Sequence, residues 1–452
     1  MLVPSNRLLL YTGILGIPLF ALLGLAEAPV AAMLGVAVLL LLLVALDAPS
    51  AAASLQMLKV KLPETIRTSK GRELVLEATL TNPGGRCRWL RVGLGFPEGL
   101  DCERPILNPT LKKDLENTRL TWNLKAVERG NYLIKRVHLE GRSRLGLWHA
   151  RRSLPCQTEF RVYPDLTRER NVLAPLFFRR GVIGIHHVRQ IGKGREFEQL
   201  REYAPGDSYD DIFWRGTAKR RFPVTKMFQL ERTQEVYVAI DASRRSARRL
   251  DHLAEHQEAG FLAKTHLERF IQATLVLALA AEQQTDKFGL IVFSDRVQRI
   301  IPAGGGRSHY NTIRDVLYTL QADPVSPDYE DVFIHIGNRL RHRSLMIFLT
   351  DLGEPWLSEQ FVEGVSLVAR RHVVLTHMLG QKEIAPLFGK GDEIKNDEEL
   401  YGRLAGQLLW NDLQETTRVL KQRGVHLTSS LQENLVADVV NEYLRVKKRQ
   451  LI

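Results

Sequence analysis

Residues 235–246 read EVYVAIDASRRS, and this segment is the strongest indication of the fold of the carboxyl-terminal half of the chain. An uncharged run, Val236–Ile240, is typical of a buried strand, and the carboxylate of Asp241 follows it at once. Further short apolar runs lie at 287–293, 344–350, 372–378 and 424–428. Helical patterns that separate or follow them lie at 254–283, 308–320, 329–340, 357–370, 397–422 and 430–446. Short strands alternating with helices predict a doubly wound α/β domain over 233–452, with a mainly parallel sheet.

Polar side chains follow two of these strands at their carboxyl ends, the edge where such folds bind ligands. Asp241 and Ser243 follow the first strand, Asp351 follows the run at 344–350, and the glycine-rich segment 304–308 adds a hydroxyl. Carboxylate and hydroxyl oxygens are ligands that suit Mg²⁺ and Mn²⁺. The sequence therefore predicts one cation site at this edge. Its candidate ligands are Asp241, Ser243, Ser246, Ser308 and Asp351.

This layout resembles a von Willebrand factor A domain, whose metal-ion-dependent adhesion site uses the motif D-x-S-x-S, a loop threonine and a later aspartate. The matching residues are Asp241, Ser243 and Asp351. Arg245 stands in place of the second motif serine, and Ser246 lies one residue later. The candidates for the loop threonine are Ser308 and Thr312. Besides a bound cation, two interpretations stay open. Arg245 could pair with Asp241 or Asp351 in the cation's place, or Asp241 and Ser243 could simply cap the following helix.

Residues 56–165 have a different pattern, in which short alternating runs are separated by turn residues. Four of the runs lie at 74–80, 89–94, 119–124 and 132–139. Alternation of apolar and polar side chains is expected for strands with one buried face. About seven short strands with turns every 8–12 residues predict an immunoglobulin-like β-sandwich. Nothing in this region suggests catalysis.

Two uncharged stretches lie near the amino terminus, at Leu8–Ala26 and Ala28–Leu46. At a rise of about 1.5 Å per residue, each would reach about 28 Å, close to the thickness of one hydrocarbon core. Glu27 is the charged residue between the two stretches, whereas lysines and arginines follow the second stretch. The positive-inside rule therefore predicts a two-helix transmembrane hairpin over residues 1–48, with both chain ends in the cytoplasm. The alternative is a secretory signal cleaved at the A-x-A-like segment 26–28.

The composition narrows the choice of partners. Lys and Arg total 63 against 51 Asp and Glu, a formal net charge of +12, which favours an anionic partner. Because a membrane anchor is predicted, an anionic membrane surface or an acidic protein is a better counterpart than nucleic acid, and no nucleic-acid partner is expected. The three cysteines lack the C-x-x-C spacing of a thiolate zinc site and fit a reducing compartment.

The segment before the α/β domain carries the most specific pattern. It reads REFEQLREYAPGD at 195–207, DIFWRGTAK at 211–219 and VTKMFQLER at 224–232. These runs resemble the signature EF-x-x-LR-x-Y-x-x-GD-x-x-x-x-I-x-W of the bacterial family called domain of unknown function 58, and the tail at 440–444 is similar too. We expect the linker, 166–232, to form a polar clasp with a structural or docking role, with Trp214 packed beneath it. Its residues are Arg201, Glu202, Tyr203, Gly206, Asp207, Trp214 and Arg215.

The resemblance to this family implies a function as well as a fold. It implies a non-enzymatic, membrane-anchored interaction or assembly protein of the bacterial inner (cytoplasmic) membrane. Such a protein would work with a MoxR-type AAA+ ATPase in the maturation of metal-containing or envelope complexes, on an unidentified client. The ATPase would supply the energy, and no catalytic residue is expected in this chain.

An enzymatic alternative rests on the segment 252–256, where His252, Glu255 and His256 have the H-x-x-E-H spacing of inverted zinc peptidases. Two histidines four residues apart share one helix face and could hold zinc, with Glu255 as general base. A third ligand is not identifiable, and the α/β pattern around the segment differs from peptidase folds. The alternatives left open are therefore this zinc-dependent hydrolase and a purely structural membrane protein.

Overall fold

A computed structural model of the chain describes residues 1–25, 30–83, 87, 89–111, 116–167, 169, 191–204, 209–220, 222–229, 234–250, 265–380, 384, 386 and 397–449. The chain divides into two units, Met1–Asp165 and Leu166–Ile452. The boundary falls where the predicted sandwich ends. The apolar amino-terminal helices belong to the first unit, and the predicted linker belongs to the second. The coarse part of the predicted fold class is confirmed, namely an apolar helix near the amino terminus and sheet-rich domains of mixed α/β structure.

The first unit begins with a short strand and a set of apolar helices. They are β1 (Leu2–Pro4), α1 (Asn6–Tyr11), a π-helical turn (Thr12–Gly16), α2 (Ile17–Leu25) and α3 (Val30–Gln56). Within α3, the stretch Leu34–Gln56 is long and apolar enough to cross a membrane, judged by length and composition alone. The first predicted span is helical but is divided by the π turn, and the predicted link at 26–29 lies outside the described residues.

The last turns of α3 pack against the β-rich part of the same unit, although they belong to the apolar stretch Leu34–Gln56. The Asp47 carboxylate accepts a hydrogen bond from the backbone N–H of Leu145 at 3.1 Å. The Trp148 indole donates to the carbonyl of Val44 at 2.8 Å, one turn before Pro49. Leu55 is buried in the β core. The apolar helix is therefore continuous with the folded unit rather than joined to it by a flexible linker.

Strand β1 precedes the apolar helices in the chain and contacts the same segment of the β-rich part as α3 does. It pairs antiparallel with Trp148–Ala150. The hydroxyl of Ser5 caps α1 by accepting from the backbone N–H of Leu8 at 3.3 Å, and it donates to the carbonyl of Gly146 at 2.6 Å. Residue 5 and residue 47 are thus both held by the segment 145–148, so the apolar helices leave this unit and return to it at one point.

The β-rich part of the first unit consists of two sheets. Its strands are β2 (Lys59–Lys61), β3 (Thr65–Ser69), β4 (Glu73–Thr81), β5 (Leu90–Leu94), β6 (Leu100–Cys102), β7 (Ile106–Leu107), β8 (Asn117–Ala126), β9 (Gly130–Arg142) and β10 (Trp148–Tyr163). One sheet has the order β1-β10-β9-β5-β7, with β3 also on β10, and the other has the order β2-β4-β8-β6. Alternate residues of β8 are buried, among them Trp122, which lies in one core with Phe160 of the other sheet.

The second unit contains a two-stranded sheet and a six-stranded sheet. The first is formed by β11 (Ile191–Glu202) and β12 (Val224–Gln229), with α4 (Trp214–Arg220) between them. The strands of the second are β13 (Glu235–Asp241), β14 (Lys287–Phe293), β15 (Val297–Gly304), β16 (Leu345–Leu349), β17 (Val373–Leu379) and β18 (Val425–Ser430). Its order is β15-β14-β13-β16-β17-β18, and all neighbours are parallel except β14 and β15.

Helices cover both faces of the six-stranded sheet. They are α5 (His266–Gln283), α6 (Gly306–Leu317), α7 (Tyr329–Arg339), α8 (Pro355–Ala369), α9 (Asp397–Gln422) and α10 (Leu435–Arg449). Buried residues of α5, α6 and α10 share one core with the sheet, and those of α7, α8 and α9 share the other. The predicted strand–helix alternation explains this arrangement, since parallel neighbours need a crossover. Strand β15 was not predicted, because its partly exposed edge position leaves it without an apolar run.

The tail segment that resembles the family has a structural role. The Tyr443 hydroxyl donates to Oδ2 of the buried Asp286 at 2.5 Å, and the Lys447 amine lies 2.7 Å from the same oxygen. Oε2 of Glu442 lies 3.2 Å from Nε2 of the buried His377, at ion-pair distance although not aligned for a hydrogen bond. These contacts fasten α10 to the sheet at two points.

Candidate functional site

The candidate site lies at the carboxyl edge of the six-stranded sheet, between β13 and β16. Strands β14 and β15 lie on one side of β13, and β16 to β18 lie on the other, so the chain winds in opposite directions from this point. Crevices at such switch points are the usual ligand sites of open α/β sheets. Asp241 ends β13, and Asp351 follows β16, so this edge brings the two predicted carboxylates together.

The Asp241 carboxylate is fully buried and both of its oxygens are engaged. Oδ1 accepts from the backbone N–H of Ser243 at 2.8 Å, and Oδ2 accepts from the hydroxyl of Thr350 at 2.7 Å. The hydroxyls of Thr350 and Tyr329 lie 2.7 Å apart, which extends the network. Burial raises the pKa of Asp241, the bonds from Ser243 and Thr350 oppose the rise, and the nearby Asp351 adds to it.

Two of the three predicted serines, Ser243 and Ser246, are buried and hydrogen-bond to the local backbone. Ser243 Oγ accepts from the N–H of Arg245 at 3.4 Å, and Ser246 Oγ donates to the carbonyl of Asp241 at 2.5 Å. Consecutive turns follow from Ser243 to Arg248, so these residues cap turns rather than a helix. The next described helix, α5, begins at His266 and has Thr265 as its N-cap, which corrects the expectation that Asp241 and Ser243 cap it.

Arg245 lies between two carboxylates that come later in the chain, those of Asp351 and Glu354. Its Nη2 lies 2.8 Å from Oδ2 of Asp351, and its Nη1 lies 2.5 Å from Oε1 of Glu354. The other oxygen of Asp351 accepts from the N–H of Gly353 at 2.9 Å. The Arg245 side chain is only 15% exposed and Asp351 only 1%, so the pair is shielded from water. Of the open interpretations, the geometry matches an Arg245 ion pair, and the partner is Asp351 rather than Asp241.

The same geometry determines how a metal ion could bind. Among the residues that the structure describes, no group of three or more His, Cys, Asp or Glu side chains is arranged to hold one. The oxygens of Asp241, Ser243 and Asp351 are the donors that Mg²⁺ or Mn²⁺ would take. Because the Arg245 guanidinium already neutralises Asp351, a cation could use that carboxylate only if Arg245 moved away.

Ser308 and Thr312 do not reach this edge. Strand β15 runs antiparallel to β14, so Gly304 pairs with Phe288 at the amino-terminal end of the sheet. Ser308 lies in the first turn of α6 there and is exposed, and the adjacent His309 ring lies 2.6 Å from the carbonyl of Phe288. The expectation that this segment joins Asp241 is wrong, because the unpredicted strand carries it to the opposite edge.

The signature residues divide between described and undescribed positions. Arg201 and Glu202 end β11, and the Tyr203 ring centre lies 6.0 Å from that of Tyr209. Trp214 begins α4 and is 67% exposed, so it is not packed beneath a clasp. Ile212 is the buried residue there, and it bridges to β12. Arg215 is exposed, and Gly206 and Asp207 lie outside the described residues.

The zinc-peptidase alternative also falls outside the described part of the chain. His252, Glu255 and His256 lie within residues 251–264, which the structure does not describe. The first described position after them is Thr265.

Four residues of the site were missed by sequence reasoning. They are Thr350, Tyr329, Glu354 and His266. Thr350 was visible in principle, because it ends an apolar strand directly before Asp351. Glu354 and Tyr329 carry no local signal, because only the folded chain brings them to the edge. His266 is buried, and its burial lowers its pKa to about 4 despite the nearby Asp351.

Comparison with known proteins leaves the function open. No curated protein matches the chain. Among solved structures, proximal thread matrix protein 1 from the mussel byssus is 13% identical over 46% of this chain and 45% of its own length, with a TM-score of 0.24. The chain thus spans less than half of that protein. The YadV chaperone is 14% identical over 26% of this chain and 58% of its own, with a TM-score of 0.16. A family two carbohydrate esterase from Cellvibrio japonicus is 9% identical over 86% and 98%, with a TM-score of 0.21.

At these TM-scores, the three structures bear on neither the fold nor the function. The family comparison is different, because it covers most of the signature segment and the candidate site. Residues 199–392 match the model of the family described as Protein of unknown function DUF58, which supports the assignment of this part of the chain to that family.

Proposed function

We propose that this chain is a membrane-anchored docking protein that performs no reaction of its own. The observation that carries the proposal is the ion pair at the carboxyl edge of the sheet, where Arg245 is held between Asp351 and Glu354. A side chain held by two carboxylates is rigid. A partner can therefore bind the rim formed by Arg245, Asp351 and Glu354 without the entropy cost of ordering it first.

The chemistry of the edge agrees with docking better than with catalysis. The buried Asp241 is held by Ser243 and Thr350, so its carboxylate is engaged within the protein. The Ser246 hydroxyl donates to a backbone carbonyl instead of to a general base. An activated nucleophile needs an adjacent base and must also be reached by a substrate. The Thr350 hydroxyl has the Asp241 carboxylate beside it, but both side chains are fully buried.

The partner we propose is a MoxR-type AAA+ ATPase, as the family resemblance implies. The ATPase would supply the energy, and this chain would hold it at the membrane during maturation of a metal-containing or envelope complex. The rim would be salt-bridged in the form described. It would be metal-bridged only if Arg245 left Asp351 and a cation, Mg²⁺ or Mn²⁺, took its place.

We also propose a two-pass anchor in the bacterial inner membrane, with both chain ends in the cytoplasm. One helix contains a stretch, Leu34–Gln56, with the length and composition to span. Because Asp47 and Leu55 are buried in the folded unit, the membrane part would be the portion of this helix before Asp47. Strand β1 supports a second pass, because it pairs with Trp148–Ala150 in the unit that α3 also enters. A chain that leaves a folded unit and returns to it at the same point can cross a bilayer only an even number of times.

The test is binding of a MoxR-type ATPase from the same organism to the full chain in lipid nanodiscs. We expect the Arg245→Glu variant to lose binding, because three carboxylates would then meet at the rim. The matched control is Arg307→Glu, which changes the charge equally at the opposite edge of the sheet and should bind like the unaltered chain. Equal binding by both variants, or no binding by the unaltered chain, would contradict the proposal.

A further inference from the structure

The loop between β9 and β10, residues 143–147, is fixed to the helix that leaves the first unit. The backbone N–H groups of Leu145 and Leu147 donate to the Asp47 carboxylate at 3.1 and 3.3 Å. The N–H of Arg144 donates to the hydroxyl of Ser50 at 3.1 Å. The 143–147 loop therefore packs on α3 directly after the uncharged run of that helix ends.

The segment before the first apolar helix contacts the same loop. The Ser5 hydroxyl donates to the carbonyl of Gly146 at 2.6 Å, and the Ser5 N–H donates to the carbonyl of Leu147 at 2.9 Å. Arg7 follows two residues later, in the first turn of α1. In the proposed two-pass anchor, the 143–147 loop thus lies where both chain segments cross the boundary between hydrocarbon and water.

The apolar surface at this point continues from the helix onto the loop. Leu145 is 54% exposed, and Leu46, the last residue of the uncharged run, is 73% exposed. The half-buried Trp148 follows the loop, and its indole donates to the carbonyl of Val44 at 2.8 Å. Tryptophan is enriched at membrane–water interfaces, and an exposed leucine gains free energy by leaving water. These residues therefore suit the interfacial layer of a bilayer.

Two arginines accompany the exposed leucine. The side chains of Arg7 and Arg144 are exposed, and neither is in an ion pair within the part of the chain that the structure describes. The Asp47 carboxylate is buried and accepts from backbone N–H groups of the loop. A guanidinium forms bidentate hydrogen bonds with a phosphate, and each arginine close to an anionic bilayer favours binding about fivefold. The charge and the exposed leucine together match a lipid with a negative headgroup.

We propose that the 143–147 loop and Arg7 form a binding surface for anionic phospholipids of the bilayer that holds the anchor. Arg7 and Arg144 take the headgroup phosphates, and Leu145 enters the interface beside them. The inference rests on the proposed anchor and deepens it, because it names the class of lipid that the anchor region recognises. A lipid is a better ligand here than free phosphate, because only a lipid offers apolar contact to Leu145.

The test is native mass spectrometry of the full chain released from nanodiscs with equal amounts of phosphatidylglycerol and phosphatidylcholine. We expect the unaltered chain to retain phosphatidylglycerol preferentially. In the double variant Arg7→Gln/Arg144→Gln, the ratio of retained phosphatidylglycerol to phosphatidylcholine should fall at least about fivefold. The two faces of a nanodisc are equivalent, so the loss of Arg7 does not change which lipid the loop meets.

The matched control is Arg67→Gln/Arg72→Gln, which removes the same charge from two exposed positions of the same unit. Strand β3, which contains Arg67, pairs with the part of β10 that lies beside the start of β9, whereas the 143–147 loop follows the end of β9. Strand β9 has 13 residues, so the control positions lie about 40 Å from the loop. We expect the lipid ratio to change less than about twofold, since charges at that distance are screened.

A second measurement tests the leucine without changing any charge. A benzoylphenylalanine in place of Leu145 should crosslink to phospholipid on irradiation in the nanodisc, adding the mass of one lipid to the chain. Its control is a benzoylphenylalanine in place of Leu133, which is 48% exposed and lies nearer the start of β9. We expect no lipid crosslink from that position.

Three results would overturn the inference. They are an equal lipid ratio in the two double variants, no lipid crosslink from position 145, and loss of the phosphatidylglycerol preference when inorganic phosphate is added at constant ionic strength. The last result would assign the arginines to free phosphate.

Failure of the anchor can be distinguished from failure of the lipid surface. Nanodiscs of pure phosphatidylcholine contain no anionic lipid, so incorporation of the unaltered chain into them tests the anchor alone. If the chain incorporates but the two double variants retain lipid equally, the anchor stands and the lipid surface is wrong. If the chain does not incorporate, both are wrong.

Discussion

Replacing Arg245 with alanine should destabilise the carboxyl edge of the sheet much more than an ordinary surface substitution would. The change leaves the Asp351 carboxylate, which is 1% exposed, with the Gly353 N–H but without its cation. Removing one partner of a buried ion pair costs about 3–5 kcal/mol. Because Arg245 itself is 15% exposed, water can reach part of the vacated space, so we expect the lower end, about 3 kcal/mol.

The assay is amide hydrogen exchange by mass spectrometry on the full chain, because it measures local opening at 351–354 without requiring two-state unfolding. The control is Arg403→Ala, which removes an i,i+4 pair with Glu399 on the exposed part of α9 and should cost about 0.3–0.5 kcal/mol. Adding Asp351→Asn to Arg245→Ala should recover part of the loss, because the uncompensated charge disappears. Equal hydrogen exchange at 351–354 in Arg245→Ala and Arg403→Ala would contradict this prediction.

Two further predictions follow from the same edge. Burial holds the pKa of His266 at about 4, so the folded chain keeps this ring neutral while the unfolded chain protonates it below about pH 6.5. The neutral His266 ring should contribute fully to the free energy of unfolding above pH 6.5, and this contribution should fall by up to about 3 kcal/mol as the pH drops to 4. The measurement is the urea unfolding midpoint over this pH range, which should fall less steeply in the His266→Gln variant. The same pH dependence of the urea midpoint in the His266→Gln variant and in the unaltered chain would contradict this prediction. In calorimetric titration with Mg²⁺ or Mn²⁺, the Arg245→Ser variant should give saturable heat that Asp241→Asn removes, and the unaltered chain should give none. Saturable heat from the unaltered chain would mean that Arg245 leaves Asp351 readily.

Much of the second unit could be predicted because its signals are local. The run 236–240 is apolar, short and followed by a carboxylate, and each of these properties is visible within a few residues. The same holds for the run that ends at Thr350. Parallel strands then place their carboxyl ends at one edge, so the meeting of Asp241 and Asp351 follows from topology.

The predictions from sequence were wrong where the position of a residue depends on a partner that is distant in the sequence. Strand β15 is partly exposed and contains Pro302, so its pattern is weak, yet its direction decides where Ser308 lies. Trp214 is apolar and was expected to be buried, but it is exposed at the start of a short helix, and the buried residue is Ile212, which precedes that helix. The pairing of Arg245 with Glu354 joins residues more than a hundred positions apart, and composition alone contains no sign of it.

The pairing of β1 with β10 has a consequence for the order of biosynthesis. Residues 2–4 leave the ribosome before their partners at 148–150, which are made about 150 residues later, an interval on the order of 10 s at typical translation rates. In a chain whose apolar helices insert as proposed, those helices enter the bilayer during this interval while the first strand waits unpaired at its surface. The sheet closes only after insertion is complete, so a chain whose anchor fails to insert would leave its nascent edge exposed to chaperones and proteases.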